Sequence, residues 1–274
     1  MLKIKEIKPK IGFIGSERQS ILDDLNFAIK NKLDYYEIQG SGEKIDLELE
    51  IIEKAKKITK KNNISLSLHA FHLPISSLTP EISEPALKTA KEEIVLANKI
   101  GAKQITIHSG HKDKPENETA VAKNFEIFIK NFKELVKFGK KYRVRVGLEN
   151  STKNRAMCIE PRDFLNALNN IKGLKIALDV GHANTIGINP IDYFKQFKDF
   201  IINIHIHDND GSSDQHALIG EGNIDFNKSL NLYRLNFNST SEIFTKKLQL
   251  LLKKFSIPSS ILKINKKNQL YYFK

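Results

Sequence analysis

The chain has 274 residues, 40% hydrophobic and 28% charged, with 44 Lys+Arg against 32 Asp+Glu for a formal net charge of +12. This make-up excludes wholesale disorder and leaves ample chain for a sizeable core. A single cysteine, Cys158, excludes an intrachain disulfide framework and a Cys-rich zinc module, and no apolar run reaches a membrane span of about 18 residues. The opening MLKIKEIKPKIGFIG is broken by charge too often for a signal peptide, so a cytoplasmic protein without membrane contact is expected, its oligomeric state unknown.

In chain order, short β-type runs alternate with helical patterns. KIGFIG (10–15) precedes the helical ILDDLNFAIKNK (21–32), and DYYEIQ (34–39) precedes IDLELEIIEKAKKITKK (45–61). SLSLHA (65–70) leads to EISEPALKTAKEEIVLANKI (81–100), and QITIHSG (104–110) to ETAVAKNFEIFIKNFKELVKFGKK (118–141). RVGLENS (145–151) is followed by PRDFLNALNNI (161–171), with Pro161 suited to a first helical turn. KIALDVGHA (175–183) and FIINIHIHDN (200–209) are the sixth and seventh strand candidates, and SEIF (241–244) is a poor eighth. The helical stretches carry apolar residues at i, i+3, i+4 and i+7.

Such βα units recur about every 25–40 residues and predict an α/β chain folded as a parallel (β/α)8 TIM barrel with an irregular last unit. A doubly wound open sheet is the runner-up. The first strand is not followed by a Gly-rich dinucleotide fingerprint, since KIGFIGSERQS has two glycines at the wrong spacing. No linker divides the chain, so a single domain over 1–274 is expected.

Only six basic residues are arginine: Arg18, Arg143, Arg145, Arg155, Arg162 and Arg234. Lysine on helix-like stretches reads as a solvated outer face, whereas phosphate and groove contacts favour arginine. The charge is thus read as a surface property that leaves DNA open as a partner.

All eight histidines, at 69, 72, 108, 111, 182, 205, 207 and 216, fall at the C-terminal end of a candidate strand or in the loop after it. In a barrel these ends converge on one face, where imidazoles from different strands suit zinc or a similar divalent ion. Glu149 and Asp179 sit in otherwise apolar strands, where a carboxylate is costly unless paired or bound to a cation. Asp208, Asp210 and Asp214 cluster with His205, His207 and His216. His72, His111, His207 and Asp208 are read as candidate substrate contacts. Cys158 reads as a plain buried thiol.

SLHA, ITIHSGH, GLENS, ALDVGHAN and IHIHDNDGSSDQHALIGEGNIDF, in that order, resemble the xylose isomerase-like TIM barrels over about residues 10–244. That group holds sugar and sugar-phosphate isomerases and epimerases together with the endonuclease IV type of apurinic endonuclease. In the single-metal isomerase branch the resemblance implies a cation held by Glu149, Asp179, His205 and a glutamate on strand eight. In the endonuclease branch it implies three zinc ions on nine positions, matched here by His69, His108, Glu149, Asp179, His182, His205, Asp214 and His216. The ninth, Glu242, arrives early, and the tail 256–274 is atypical of the group.

The resemblance implies a divalent-metal-dependent sugar or sugar-phosphate isomerase or epimerase, with Glu149 and Glu242 as the acid/base pair and His182 or His108 orienting substrate oxygens. Zinc leads among the cofactors, with one to three ions, and manganese or cobalt are open. The alternatives are a zinc-dependent endonuclease acting on abasic DNA and a degenerate sugar- or metal-binding barrel. The loops GSERQS, QGSGEK and HAFHLPISS offer few bulky side chains to wedge into DNA, only Phe71, His72 and Leu73.

Overall fold

Period-two alternation sets the strands. In SLSLH the leucines face one side and Ser65, Ser67 and His69 the other; RVGLE and QITIH behave alike. The computed structural model describes residues 10–15, 19–40, 48–152 and 156–226. Its strands are β1 (Gly12–Ile14), β2 (Tyr35–Gln39), β3 (Ser65–His69), β4 (Gln104–His108), β5 (Arg145–Glu149), β6 (Lys175–Asp179) and β7 (Ile201–His205). They form one sheet in chain order, and every neighbouring pair is parallel. The candidate strand at 241–244, Glu242 and the tail 256–274 lie outside the described residues.

The sheet is curled. In a flat sheet β2 and β7 would stand about 24 Å apart, five strand spacings. Here the Glu37 carboxylate on β2 accepts from the Asn203 amide and lies 3.1 Å from His205 on β7, and Gln104 Nε2 on β4 donates 3.1 Å to the Ile202 carbonyl. Contacts across a lumen replace the open sheet with the wall of an α/β TIM barrel.

Helices α1 (Ile21–Lys30), α2 (Leu49–Asn62), α3 (Pro80–Ile100), α4 (Glu118–Lys141), α5 (Pro161–Asn170), α6 (Val180–Thr185) and α7 (Pro190–Phe197) fill the crossovers. Their ends follow capping chemistry: Ser20 and Asn117 accept from the amides of Asp23 and Ala120, and Gly101, at φ +90°, closes α3. Two helices escape the sequence pattern. The run read as a strand through Ala183 stops at Asp179, whose carboxylate caps α6 by accepting from His182 N at 2.8 Å. Asn189 and Pro190 open α7, with Asn189 Oδ1 accepting from Ile191 N at 3.0 Å.

The apolar core lies between strands and helices. Leu25, Ile38, Leu68, Ile94, Ile105, Phe128, Phe132, Leu148, Phe164 and Leu178 are all fully buried there. The lumen is polar by contrast, with Tyr35, Glu37, Ser67, Gln104, Thr106 and Asn203 joined by hydrogen bonds. No helix among the described residues is long and apolar enough to cross a membrane.

Candidate metal centre

The last residues of β3, β4, β5, β6 and β7 are His69, His108, Glu149, Asp179 and His205. A parallel barrel aims these ends at one mouth. Glu149 is at the centre. Its Oε2 lies 3.0 Å from His69 Nε2 and 2.9 Å from His108 Nε2, and its Oε1 lies 2.5 Å from His205 Nδ1. Asp179 Oδ1 accepts from the His182 amide and faces His207 Nε2 at 2.9 Å, while its Oδ2 stands 3.7 Å from His205 Nδ1.

A second group lies outward, on α6 and the loop after β7. His182 Nε2 and His216 Nε2 approach Asp214 Oδ2 at 3.1 and 3.0 Å, and His207 Nε2 lies 3.5 Å from Asp214 Oδ1. The His207 and His216 rings stack at 4.0 Å, and His216 holds a left-handed backbone at φ +48°. His182 Nδ1 faces the Asn150 carbonyl at 2.7 Å.

The remaining expected site residues divide. His72 is exposed but stacks on His108, centroids 3.9 Å apart, so it lies over the inner group. His111 is exposed on the rim, where its backbone carbonyl accepts from Ser76 Oγ at 2.8 Å. Asp208 spends its carboxylate on backbone: the amides of Gly220 and Gly222 donate to Oδ2 and those of Asn209 and Ile224 to Oδ1. It clasps the loop that carries Asp214 and His216. Cys158 is buried, and burial pushes its thiol well above the ordinary value.

Two acids went unread in the sequence. Glu37 on β2 is buried beneath His205. The cost attached to Glu149 and Asp179, a carboxylate inside an apolar strand, applies to it equally. Glu93 on α3 is buried, with Oε1 accepting from Phe71 N at 3.0 Å, and nothing in its helical pattern marks it.

Burial and charge act in opposition here. Burial alone would raise Glu37, but His205, His69 and the Ser67 hydroxyl bring it down to about 2. Burial also acts against Glu149, yet His108, His205 and His69 hold its carboxyl well below the ordinary value. Desolvation lowers His108 to about 4 against the opposing pull of Glu149. Burial opposes protonation of His205 and His182 too, but the carboxylates around them raise these to about 10 and about 9.

The residues suit a divalent ion. Among the described residues, Asp179 Oδ2 is buried without a hydrogen bond 3.7 Å from His205 Nδ1, and His108 Nε2, although 2.9 Å from Glu149 Oε2, lacks the geometry of one. Buried polar atoms without partners call for an explanation, and an ion supplies one. His69, His108 and Glu149, then Glu149, Asp179 and His182, then His182, His207, Asp214 and His216, and one layer down Glu37, His69 and His205, each offer ligand atoms within 4.8 Å of one another. Imidazole nitrogen mixed with carboxylate oxygen is the donor chemistry of zinc, manganese and cobalt sites.

Together these features define a TIM barrel whose strand ends carry a histidine–carboxylate centre. Residues 25–234 match the family model described as xylose isomerase-like TIM barrel, and the chain belongs to that family. Among curated proteins, the uncharacterized protein MJ1311 of Methanocaldococcus jannaschii is 32% identical over 57% of this chain and 56% of its own length. The uncharacterized protein MJ1614 of the same organism is 30% identical over 62% of this chain and 66% of its own length. The chain thus spans less than two thirds of either relative.

Solved structures share the fold. A D-tagatose 3-epimerase-like protein superposes with a TM-score of 0.73 at 22% identity, covering 90% of this chain and 99% of that one. The 3-keto-D-glucoside 4-epimerase YcjR from E. coli gives 0.69 at 17% identity, covering 89% and 99%. An L-ribulose 3-epimerase also gives 0.69 at 17%, covering 81% and 76%.

Proposed function

We propose that the protein is a divalent-metal-dependent isomerase or epimerase of a sugar or sugar phosphate. The observation that carries this reading is the buried Glu149, shared by three histidines from β3, β4 and β7 beside Asp179. The similarity to solved proteins named as sugar epimerases supports it. Glu149, Asp179, His205 and Glu242 would hold the ion, with His69 and His108 adding ligands for a second. When bound, the ion supplies Lewis acidity to adjacent carbonyl and hydroxyl oxygens, which acidifies the neighbouring C–H.

The side chains do the rest. Glu149, kept ionised by its histidines, takes the proton from that carbon, and Glu242 returns one from the opposite face, so configuration inverts with no change in composition. His182 and His108 orient the substrate oxygens, with His72, His111 and His207 contacting the sugar. The test incubates protein loaded with manganese, cobalt or zinc with D-tagatose, D-allulose and L-ribulose in deuterated water. Exchange of the C3 proton that a chelator abolishes is the expected result; no exchange with any ketose overturns the reading.

One observation favours a second reading. The outer group of His182, His207, Asp214 and His216 adds ligand capacity beyond a single-ion centre, as a multi-zinc phosphodiesterase acting on abasic DNA requires. Nicking of an abasic duplex that chelation and Glu149→Gln both abolish, with about three zinc ions per chain, would put it first.

A further inference from the structure

Glu37 lies one layer below the centre, on a strand that contributes no residue to the proposed ligand set. Its carboxylate is fully engaged. Oε2 accepts from Ser67 Oγ at 2.9 Å and from the Asn203 side-chain amide, and Tyr35 Oη lies 3.1 Å away. Oε1 is left to face His205 Nε2 at 3.1 Å. The Asn203 amide cannot turn without loss, because its Oδ1 accepts from Ile204 N at 3.1 Å. These donors fix the carboxylate across the lumen from β7.

A carboxylate only accepts, so the His205 nitrogen facing it carries hydrogen; the Asn203 amide nitrogen, 3.0 Å from the same Nε2, directs its own hydrogens to Glu37 Oε2 and Thr106 Oγ1. Nδ1 also faces a carboxylate, so it too carries hydrogen until a cation displaces it; with the N–H held at Nε2, the Nδ1 lone pair is then left for the cation. Nδ1 is the nitrogen turned to the centre, 2.5 Å from Glu149 Oε1 and 3.7 Å from Asp179 Oδ2. A second carboxylate behind a metal-binding histidine typically sets ring orientation and tautomer. The geometry points to Glu37 as the positioning residue that presents His205 Nδ1 to a divalent cation shared with Glu149 and Asp179, an inference that rests on the metal-dependent reading above.

The isosteric variant Glu37→Gln discriminates sharply. Ser67, Asn203 and Tyr35 hold the amide oxygen, so the amide NH2 faces His205 Nε2 and favours the wrong tautomer, with hydrogen on Nδ1. Titration with Co(II), followed by its visible absorption, is expected to show binding about 10- to 100-fold weaker than wild type with a shifted band. Nitrogen-15 shifts of the imidazoles in zinc-loaded protein should move the N–H from Nε2 to Nδ1. Glu37→Asp, which keeps the charge on a shorter arm, carries the same expectation for affinity should Glu37→Gln fail to fold. In a His205→Gln background, Glu37→Gln should weaken Co(II) no further.

Equal Co(II) affinity and spectrum in wild type and Glu37→Gln would overturn the positioning role while leaving the metal-dependent reading in place. So would an undiminished effect in the His205→Gln background. Wild-type protein that takes up no Co(II), Mn(II) or Zn(II) would overturn both.

Discussion

The inner and outer halves of the centre are built differently. The inner half, His69, His108, Glu149, Asp179 and His205, sits on five consecutive strand ends, and the ladder fixes the height of each residue: His108 opposes Glu149, and Asp179 opposes His205. The outer half borrows His182 from the six-residue α6 and takes His207, Asp214 and His216 from the loop after β7. That loop is held by the Asp208 clasp, by an Asp208–Ala217 bridge and by Asn184 donating to Asn209 and Asn223. Strand-borne groups are positioned by the whole barrel, whereas loop-borne ones depend on a handful of local hydrogen bonds. The two halves should therefore fail separately.

Glu149→Gln gives the largest expected effect. It removes the one charge shared by three imidazoles, so turnover should fall by on the order of a thousandfold, measured as loss of C–H exchange. Activity within tenfold of wild type would displace Glu149 from the centre of the scheme. Asp208→Ala comes next. It leaves four amides without their acceptor and should cost about 3 kcal/mol in the loop. Hydrogen exchange over residues 208–226 should quicken while β3 to β6 stay protected; protection lost equally in both regions would erase the distinction between the halves.

Glu93 gives the smallest effect and serves as the control, a buried acid without a histidine. Burial raises its carboxyl to about 7 against the pull of the Phe71 amide. An acid whose folded pKa lies above its unfolded value of 4.5 contributes full stability below that value and loses it as pH climbs toward 7. Glu93→Gln should therefore gain on the wild type by about 2 kcal/mol between pH 5 and 7, read from melting temperatures across that window. A constant difference at every pH would show that Glu93 is paired like Glu37.

What could be read in the sequence was periodic or compositional. Alternation located all seven strands among the described residues, and the confinement of histidine to strand ends pointed to the mouth of the barrel. The missing parts rest on partners far apart in the chain. Glu37 meets Asn203 and His205, more than 160 residues away, and only the rule about acids in apolar strands could have flagged it. Asp208 sits amid histidines, yet its carboxylate goes to the next amide and to three more 12 to 16 residues on; no local pattern reports such a clasp. Helix α6 hid because six residues hold too few turns for a helical period to emerge, although its cap, Asp179, was in view.

The placement of greasy packing outside the strands and hydrophilic groups inside has an evolutionary corollary. Adjacent positions in each strand answer to different demands, one to cohesion of the fold and the next to chemistry. Inserting or deleting a single residue within a strand exchanges the two sets at once, so length changes there are lethal to both. New substrate preferences have to arise by exchanging lumen side chains in place or by remodelling the connections above them.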